Sequence, residues 1–312
     1  MWLFLTGSLL FVGNVSVDRI ENANGVRIQP GGAALYAAIA ARTLFPDVHL
    51  ISRIGRDYKF IDILDLFNSK HVKMYNMPST SFHIKYNEHW EAKYLKVNHG
   101  AGARITFQVI PLNLLGDQVA IHISPMRVKK AVKIIDTIKK ESPDTLISIN
   151  TWLGYIQEGK KSREALKKLA LKVDFFILND SEAKALTQTS SVSTALRLLK
   201  AKNLVVTLGE LGAIISNESG IQMIPALSSP IGKIVDTTGA GDTWCGAFLA
   251  AYKLTGNLMK SVTVASIISS IKCSGWGFNK LRNLHFRELD DVIEYIIALK
   301  EGSLQKRLID YI

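Results

Sequence analysis

From the middle of the chain onward, strand-like and helix-like segments alternate, and this rhythm restricts the possible folds more than any other feature of the sequence. In chain order the pattern predicts strand 119–124, helix 129–141, strand 145–150, helix 163–171, strand 174–178, helices 182–187 and 194–200, and strand 204–208. A helix that connects two parallel strands packs on the face of their sheet. The rhythm therefore predicts an α/β fold with a largely parallel sheet covered by helices.

Two earlier regions break this rhythm, because their apolar residues alternate in period two. One surrounds Asn24-Gly25, a dipeptide typical of tight hairpins, and the other surrounds a polar tip. We interpret the two regions, approximately 14–30 and 80–104, as one small β-sheet lid inserted in the α/β core. No linker or repeat separates them from the rest, so 1–312 is predicted to form a single domain.

Composition excludes several classes of function. Hydrophobic residues make up 47% and charged residues 21%, which supports a large core and excludes disorder. The net charge of +11 suits an anionic ligand, but the paired lysines lack the interleaved aromatic residues that stack nucleic-acid bases. Cys245 and Cys273 are far apart, as in proteins of a reducing compartment, and no apolar run reaches the roughly 20 residues of a membrane span. We therefore expect a cytoplasmic protein with no nucleic-acid or membrane partner.

The clearest chemical signal lies in 235–249. Gly239, Ala240 and Gly241 are small enough for the backbone to approach a ligand, and the helical run that follows would direct their N–H groups at an anion. Asp242 would lie in the first helical turn, where the helix dipole keeps a general base ionised. A base beside an anion-binding turn indicates phosphoryl transfer. A plain glycine turn with Asp242 as a helix cap remains the alternative for this stretch alone.

This stretch resembles the C-terminal signature of the ribokinase-like, or PfkB-type, carbohydrate kinases. Other family marks follow in the family's order, namely 13–18, the Gly-Gly segment 31–38, 55–57, 179–182 and 206–209. The resemblance covers most of the chain, up to the region of Gly277. It implies a three-layer α/β/α core with a mostly parallel sheet, a small β-sheet lid, and ATP and Mg²⁺ as co-reactants.

By this resemblance the chain is expected to transfer the γ-phosphoryl group of ATP to a hydroxyl of a sugar or sugar-like small molecule. Asp242 would take the proton of the acceptor hydroxyl, and Gly239, Ala240 and Gly241 would stabilise charge on the transferring phosphate. Glu182 and Asn179 would organise Mg²⁺ through water, because Mg²⁺ loses its own water reluctantly.

The resemblance also places the two substrates. Asn179, Thr207, Gly209 and Gly277 would bind the nucleotide. Asp236 matches a position that in many relatives helps to bind a monovalent cation such as K⁺, although an Asp at the end of a strand is also an ordinary turn former.

The acceptor pocket is expected at Asp18, Gly31, Gly32 and Tyr36. Tyr36 replaces an Asn that commonly bonds a sugar hydroxyl in the family, so a ribose-specific pocket is not expected. Asn150 stands where many relatives carry an Asp, which weakens any assignment to one subfamily.

The sequence leaves three acceptors open: a hexose or sugar acid, a nucleoside, and a cyclitol such as inositol. A catalytically silent sensor that binds sugar or nucleotide is the alternative of another class, and the retained Asp242 and Glu182 disfavour it. Many relatives dimerise by pairing their lids, and the predicted edge strands would permit a homodimer here.

Overall fold

The computed structural model describes residues 7–226, 233–295 and 297–298 of the 312-residue chain. The strands are β1 Ser8–Val12, β2 Ser16–Asn22, β3 Gly25–Gly31, β4 Val48–Gly55, β5 Val72–Tyr75, β6 Thr80–Tyr86, β7 Ala92–Asn98, β8 Val119–Ile123, β9 Leu146–Asn150, β10 Phe175–Asn179, β11 Asn203–Thr207, β12 Ala213–Asn217 and β13 Gly220–Ile224. The α-helices are α1 Ala33–Arg42, α2 Val128–Glu141, α3 Leu153–Ile156, α4 Lys160–Ala170, α5 Asp180–Thr187, α6 Val192–Leu198, α7 Ala240–Thr255 and α8 Leu258–Cys273. Within these ranges no helix is both long enough and apolar enough to cross a membrane.

The main sheet has nine strands in the order β13-β12-β11-β10-β9-β8-β1-β4-β5. The pairs from β11 to β5 are parallel, whereas β12 and β13 add an antiparallel hairpin at one edge. The four strands predicted from residue 119 onward are β8 to β11, and the helices predicted between them are α2, α4, α5 and α6, each beginning one to three residues earlier than predicted. The predicted mostly parallel sheet is therefore confirmed.

Helices cover both faces of this sheet, because alternate residues of its central strands point to opposite sides. Leu9 and Phe11 of β1 pack in the core formed with α1, α7 and α8. Leu10 and Val12 pack in the core formed with α2, α4, α5 and α6. The chain thus forms the three layers that the family resemblance implied.

The lid is a separate four-stranded sheet in the order β3-β2-β6-β7, with β2 and β6 parallel in its middle. Its first hairpin is displaced by one residue from the predicted Asn24-Gly25 turn, because Gly25 already pairs with Asn22 in the ladder. Asn24 instead reaches out of the turn, where its amide donates to the carbonyls of Ile234 and Val235, each at 3.1 Å. The tip of the lid is thereby bound to the segment that leads into α7.

Candidate active site

A cavity of about 640 Å³ lies between the lid and the carboxyl ends of the parallel strands of the main sheet. Asn150, Asn179 and Thr207 line it at the last positions of β9, β10 and β11, and Asn14 lines it just after β1. The carboxyl ends of parallel strands meet at the same edge of a sheet, which is where open α/β sheets bind their ligands. The topology thus gathers residues from distant parts of the sequence at one place.

Most of the predicted site residues line this cavity. They are Asp18, Gly32, Tyr36, Asn179, Glu182, Thr207, Gly239, Ala240, Gly241 and Asp242. Four others do not line it, namely Gly31, Gly209, Asp236 and Gly277. Gly31 and Asp236 support the cavity from behind, as described below, whereas the structure does not bring Gly209 or Gly277 to the cavity wall.

The glycine turn Gly239-Ala240-Gly241 forms the start of α7. Gly239 is the N-cap residue and has a left-handed φ of 72°, which favours glycine. The N–H of Ala240 donates to the carbonyl of Thr237 at 3.0 Å. This N–H is therefore not free for a ligand, contrary to the prediction. The N–H groups of Gly241 and Asp242 have no acceptor among the described residues, as is usual in the first turn of a helix. A Cβ at Gly241 would meet nothing within 4 Å, and both residues line the cavity.

Asp242 lies in this first turn with one carboxylate oxygen engaged. The amide of Asn150 donates to its Oδ1 at 2.9 Å, and Oδ2 has no hydrogen-bond partner in the described part of the chain. Burial raises the pKa of Asp242 to about 6, against the lowering effect of the Asn150 hydrogen bond. Asp242 is therefore ionised at neutral pH and keeps an oxygen free to accept a proton.

A chain of buried polar groups orients Asn150 from behind. His122 Nε2 lies 3.2 Å from Asn150 Oδ1, and His122 Nδ1 lies 3.1 Å from the hydroxyl of Ser148. Burial lowers the pKa of His122 to about 4, so the imidazole is neutral. Because the Asn150 amide nitrogen is turned to Asp242, its oxygen accepts from His122 Nε2–H, and His122 Nδ1 accepts from Ser148.

The sequence singles out Asn150 but does not connect it with His122, Ser148 or Asp242. A signal was present, because His122 and Ser148 are register partners in the adjacent strands β8 and β9. Residues at the carboxyl ends of neighbouring strands approach each other, and both strands were predicted correctly.

Asn179 and Glu182 form a capping box at the start of α5. The Asn179 side chain accepts from the N–H of Glu182 at 2.8 Å, and Glu182 Oε2 accepts from the N–H of Asn179 at 3.0 Å. Glu182 Oε1 has no hydrogen-bond partner among the described residues. Burial raises the pKa of Glu182 to about 8. The pair thus starts the helix and also holds the carboxyl group of Glu182 at the cavity wall.

Asp18 of β2 brings a carboxyl group from the lid to the cavity. It is 2% exposed, burial raises its pKa to about 7, and its Oδ1 has no hydrogen-bond partner among the described residues. A Cβ at Gly31 would lie 1.8 Å from Asp18 Oδ2, so only glycine leaves room for this carboxyl group. Gly31 therefore shapes the pocket without lining it.

Tyr36 packs against the glycine turn from within α1. A Cβ at Gly239 would lie 2.3 Å from its ring, and its hydroxyl accepts from Gln29 Nε2 at 3.3 Å. The side chain is 1% exposed, so its polar atom is engaged inside the protein. Tyr36 borders the predicted acceptor pocket chiefly as a support for Gly239.

Aromatic side chains form one wall of the cavity. Tyr94 of the lid meets Trp152 edge to face with ring centroids 5.0 Å apart, and Phe82 and Tyr155 extend this contact at 6.0 and 5.2 Å. Trp152 follows β9, so the wall joins the lid to the main sheet. Such a wall offers flat apolar faces to a planar ligand.

Known proteins share the sequence pattern and the fold of this chain. The family model described as pfkB family carbohydrate kinase matches residues 7–280. A cytidine kinase of Thermococcus kodakarensis is 29% identical over 255 residues, covering 78% of this chain and 88% of that protein. A ribokinase of Lactococcus lactis is 26% identical over 290 residues, covering 85% and 90%.

Solved structures agree on the fold. The adenosine kinase of Sinorhizobium meliloti superposes with a TM-score of 0.76 at 19% identity, covering 88% of this chain and 97% of that one. A Burkholderia thailandensis nucleoside kinase in complex with inosine superposes with a TM-score of 0.75 at 18% identity, covering 92% and 96%. The predicted ribokinase-like fold, the family resemblance and the predicted class of enzyme, a carbohydrate or nucleoside kinase, are confirmed by these matches.

Proposed function

The chain belongs to the PfkB family of carbohydrate kinases, and from that membership we propose that it transfers the γ-phosphoryl group of ATP to the hydroxymethyl group of a nucleoside. One observation carries the proposed reaction. The start of α7 presents the unpartnered Oδ2 of Asp242 and the unpartnered N–H groups of Gly241 and Asp242 to the same cavity. A base and an anion site side by side are what phosphoryl transfer to an alcohol requires.

Asp242 is the proposed general base. Its pKa of about 6 lies just below neutral pH, so the carboxylate is ionised yet basic enough to accept a proton as the alcohol oxygen attacks phosphorus. The hydrogen bond from Asn150 fixes one oxygen and leaves the other for the acceptor.

The glycine turn is the proposed anion site. The N–H groups of Gly241 and Asp242 are fixed by the helix, so they need no reorganisation to stabilise charge on the transferring phosphate. Ala240 contributes by its small size, because its own N–H is bonded to Thr237.

Glu182 fits the expected Mg²⁺. Its Oε1 has no hydrogen-bond partner among the described residues and lies at the cavity wall, and Mg²⁺ would displace the proton that burial favours on this carboxyl group. The described residues hold no cluster of three acidic, histidine or cysteine side chains that would bind a metal by themselves. Mg²⁺ is commonly held by one or two carboxylates, water and substrate phosphates. When bound, the metal neutralises phosphate charge, while Asn179 holds the other oxygen of Glu182 in place.

The nucleotide would lie along the ends of β10 and β11, beside Asn179 and Thr207. Gly209 and Gly277 do not line the cavity, and their predicted contact with the nucleotide stays a prediction.

A nucleoside suits the acceptor side of the cavity better than a free sugar. Asp18 and Gly32 both line the cavity, and the Asp18 carboxyl group would accept hydrogen bonds from ring hydroxyls. The aromatic wall of Tyr94 and Trp152 would then stack on a base, a contact worth about 1–3 kcal/mol in other proteins. The similarity to a cytidine kinase supports this choice.

The test measures ADP formation from Mg-ATP with cytidine, adenosine, inosine, ribose, fructose and myo-inositol as acceptors. We expect one nucleoside to exceed ribose about 100-fold in kcat/KM, in line with the stacking contribution. A preference for a free sugar or inositol would overturn the nucleoside proposal and leave the kinase. Failure of every acceptor would overturn the kinase and favour a silent sensor.

Substitutions at Trp152 sharpen the same test. Trp152→Leu removes the stacking face and should raise KM for the nucleoside about tenfold with little change for ribose. Trp152→Phe keeps an aromatic face and serves as the matched control. Equal effects of Trp152→Leu on both acceptors would contradict base stacking.

The lid provides a surface for the predicted homodimer. Val26, Ile28, Leu95 and Val97 of β3 and β7 are exposed hydrophobic residues on this small sheet. Pairing of two lids would cover such residues. Light scattering of Ile28→Lys beside the wild type tests this: the proposal predicts a wild-type dimer and a variant monomer. The cytoplasmic location remains a prediction.

A further inference from the structure

Lys272, near the end of α8, is a fully buried cation that the proposed reaction does not use. Its side chain is 0% exposed. The ammonium donates to the carbonyl oxygen of Asp236 at 2.6 Å, lies 3.4 Å from Asp236 Oδ2, and stands 5.4 Å from the centre of the Tyr36 ring. A buried charge is stable only when it is paired, so Lys272 depends on its contacts with Asp236.

Asp236 has both carboxylate oxygens committed to donors of the protein itself. Oδ1 accepts from the N–H of Thr238 at 2.9 Å, and Oδ2 accepts from Gln29 Nε2 at 2.9 Å and from the N–H of Gly277 at 3.1 Å. Burial would raise the pKa of Asp236, but Lys272 and these hydrogen bonds outweigh it and hold the pKa below its usual range.

This donor set does not fit the monovalent cation that the sequence suggested at Asp236. A metal cation needs oxygen lone pairs directed at it, whereas these oxygens face N–H groups and an ammonium. A further cation placed here would also meet the charge of Lys272 at close range.

The position of the ammonium ties it to the glycine turn. The N–H groups of Val235 and Asp236 donate to the carbonyl of Cys273 at 2.8 and 3.2 Å, so the segment before the turn is bound to the carboxyl end of α8. That end of a helix favours a cation. The Tyr36 ring, over which the ammonium lies, packs directly on Gly239.

We infer that the Lys272 ammonium takes the place of a dissociable monovalent cation and holds the glycine turn in position, so that this kinase does not depend on K⁺. Lys272 is a positioning residue, because it acts through Asp236 and Tyr36 on Gly239. The inference rests on the proposed kinase function only for its effect on turnover. Its structural part concerns the protein without substrates.

The first test compares the wild-type protein in KCl with the protein in tetramethylammonium chloride at equal ionic strength. Tm, measured by differential scanning fluorimetry, and turnover should both be unchanged between the two salts. A wild-type Tm or turnover that rises specifically with K⁺ would overturn the inference. This arm needs no variant, so it holds even if substitutions at Lys272 prevent folding.

The second test creates the missing cation site. Lys272→Ala should lower Tm, open a space beside Asp236 and free the carbonyl oxygen of Asp236, which the ammonium occupies in the wild type, to bind a cation. K⁺ should then raise Tm by about 5 °C at ~100 times its dissociation constant and recover kcat more than KM. Lys272→Met fills the space with an uncharged chain and should show no recovery. Lys260→Ala, an exposed lysine of the same helix, is the control without effect.

The two proposals fail separately. If no acceptor supports ADP formation, the kinase proposal fails, while the Tm of Lys272→Ala in K⁺ still decides the inference. If Lys272→Ala folds and K⁺ leaves its Tm unchanged, the inference fails whatever the turnover shows.

Discussion

Asp236 and Asp242 stand on either side of the glycine turn, and the protein surrounds them in opposite ways. Asp236 receives three hydrogen bonds and the ammonium of Lys272, with no oxygen left over. Asp242 receives one hydrogen bond, from Asn150, and its second oxygen faces the cavity. The pKa of the first is lowered and that of the second is raised to about 6.

The contrast shows that burial alone does not identify a reactive carboxyl group. Both groups lose water, which raises a carboxyl pKa, and the difference arises from how completely protein donors replace that water. A carboxylate whose two oxygens both accept hydrogen bonds from the protein stabilises the fold. A carboxylate with one oxygen unused can accept a proton from a ligand.

The largest effect on stability is expected at Asp236. Asp236→Ala leaves the ammonium of Lys272 buried without its partner, so the free energy of unfolding should fall by about 3–5 kcal/mol in urea denaturation. Asp62→Ala is the control, since its ion pair with Arg282 is exposed and should change stability by less than about 1 kcal/mol. Equal losses of stability in the two variants would contradict the claim that Asp236 is a structural carboxylate.

The glycine turn should separate stability from activity. Gly241→Ala places a methyl group in open space beside the free N–H groups, where it would obstruct a phosphate, and turnover should fall about 10²–10³-fold. Alanine is the better helix former, so Tm should stay equal or rise. Gly116→Ala, at another open glycine outside the cavity, should leave turnover unchanged. Wild-type turnover in Gly241→Ala would contradict the proposal that this turn binds the transferring phosphate.

Asn150 should set the basicity of Asp242. Asn150→Leu removes the hydrogen bond that lowers the pKa of Asp242, so that pKa should rise above about 6. A rise of one unit reduces kcat/KM about tenfold at pH values below the pKa, and activity should recover at higher pH. The pH profile of ADP formation checks this shift. Ser148→Ala, which acts only through His122, should shift the profile less, and an unshifted profile in Asn150→Leu would contradict the link.

The most gradual effect is expected in the pH dependence of stability. Because the pKa of Glu182 is raised to about 8, the folded protein binds a proton there that the unfolded chain has released at neutral pH. Stability should therefore fall as pH rises from about 5 toward 8 and level off above 8, with a slope of at most about 1.4 kcal/mol per pH unit. Glu182→Gln should lack this decrease while it keeps the capping box. Parallel curves for the two proteins would show that Glu182 is not held in a protonated state.

The sequence was sufficient for the parts of the fold that repeat a simple period. The strands β8 to β11 are mostly apolar segments, so they were predicted close to their observed bounds. The two regions of period-two alternation, approximately 14–30 and 80–104, correspond to the lid strands β2, β3, β6 and β7. The hairpin of β12 and β13 was not predicted, because Ile221 and Met223 are exposed at the sheet edge and give no burial pattern.

The candidate site was predictable where local sequence carries the geometry. The turn from Gly239 to Asp242 and the capping box of Asn179 with Glu182 each lie within four residues of the sequence. Contacts across strands and helices were not accessible, because the pairing of Asn150 with Asp242, or of Lys272 with Asp236, depends on how distant elements pack.

The central claim is that Asp242 acts as the base rather than as a structural group. The most direct measurement compares Asp242→Asn with the wild type in kcat, by ADP formation, and in nucleoside dissociation constant, by calorimetry. Asparagine keeps an oxygen for Asn150 but cannot take the proton, so kcat should fall about 10³-fold with binding unchanged within about threefold. A variant that retains a tenth or more of wild-type kcat would contradict the account.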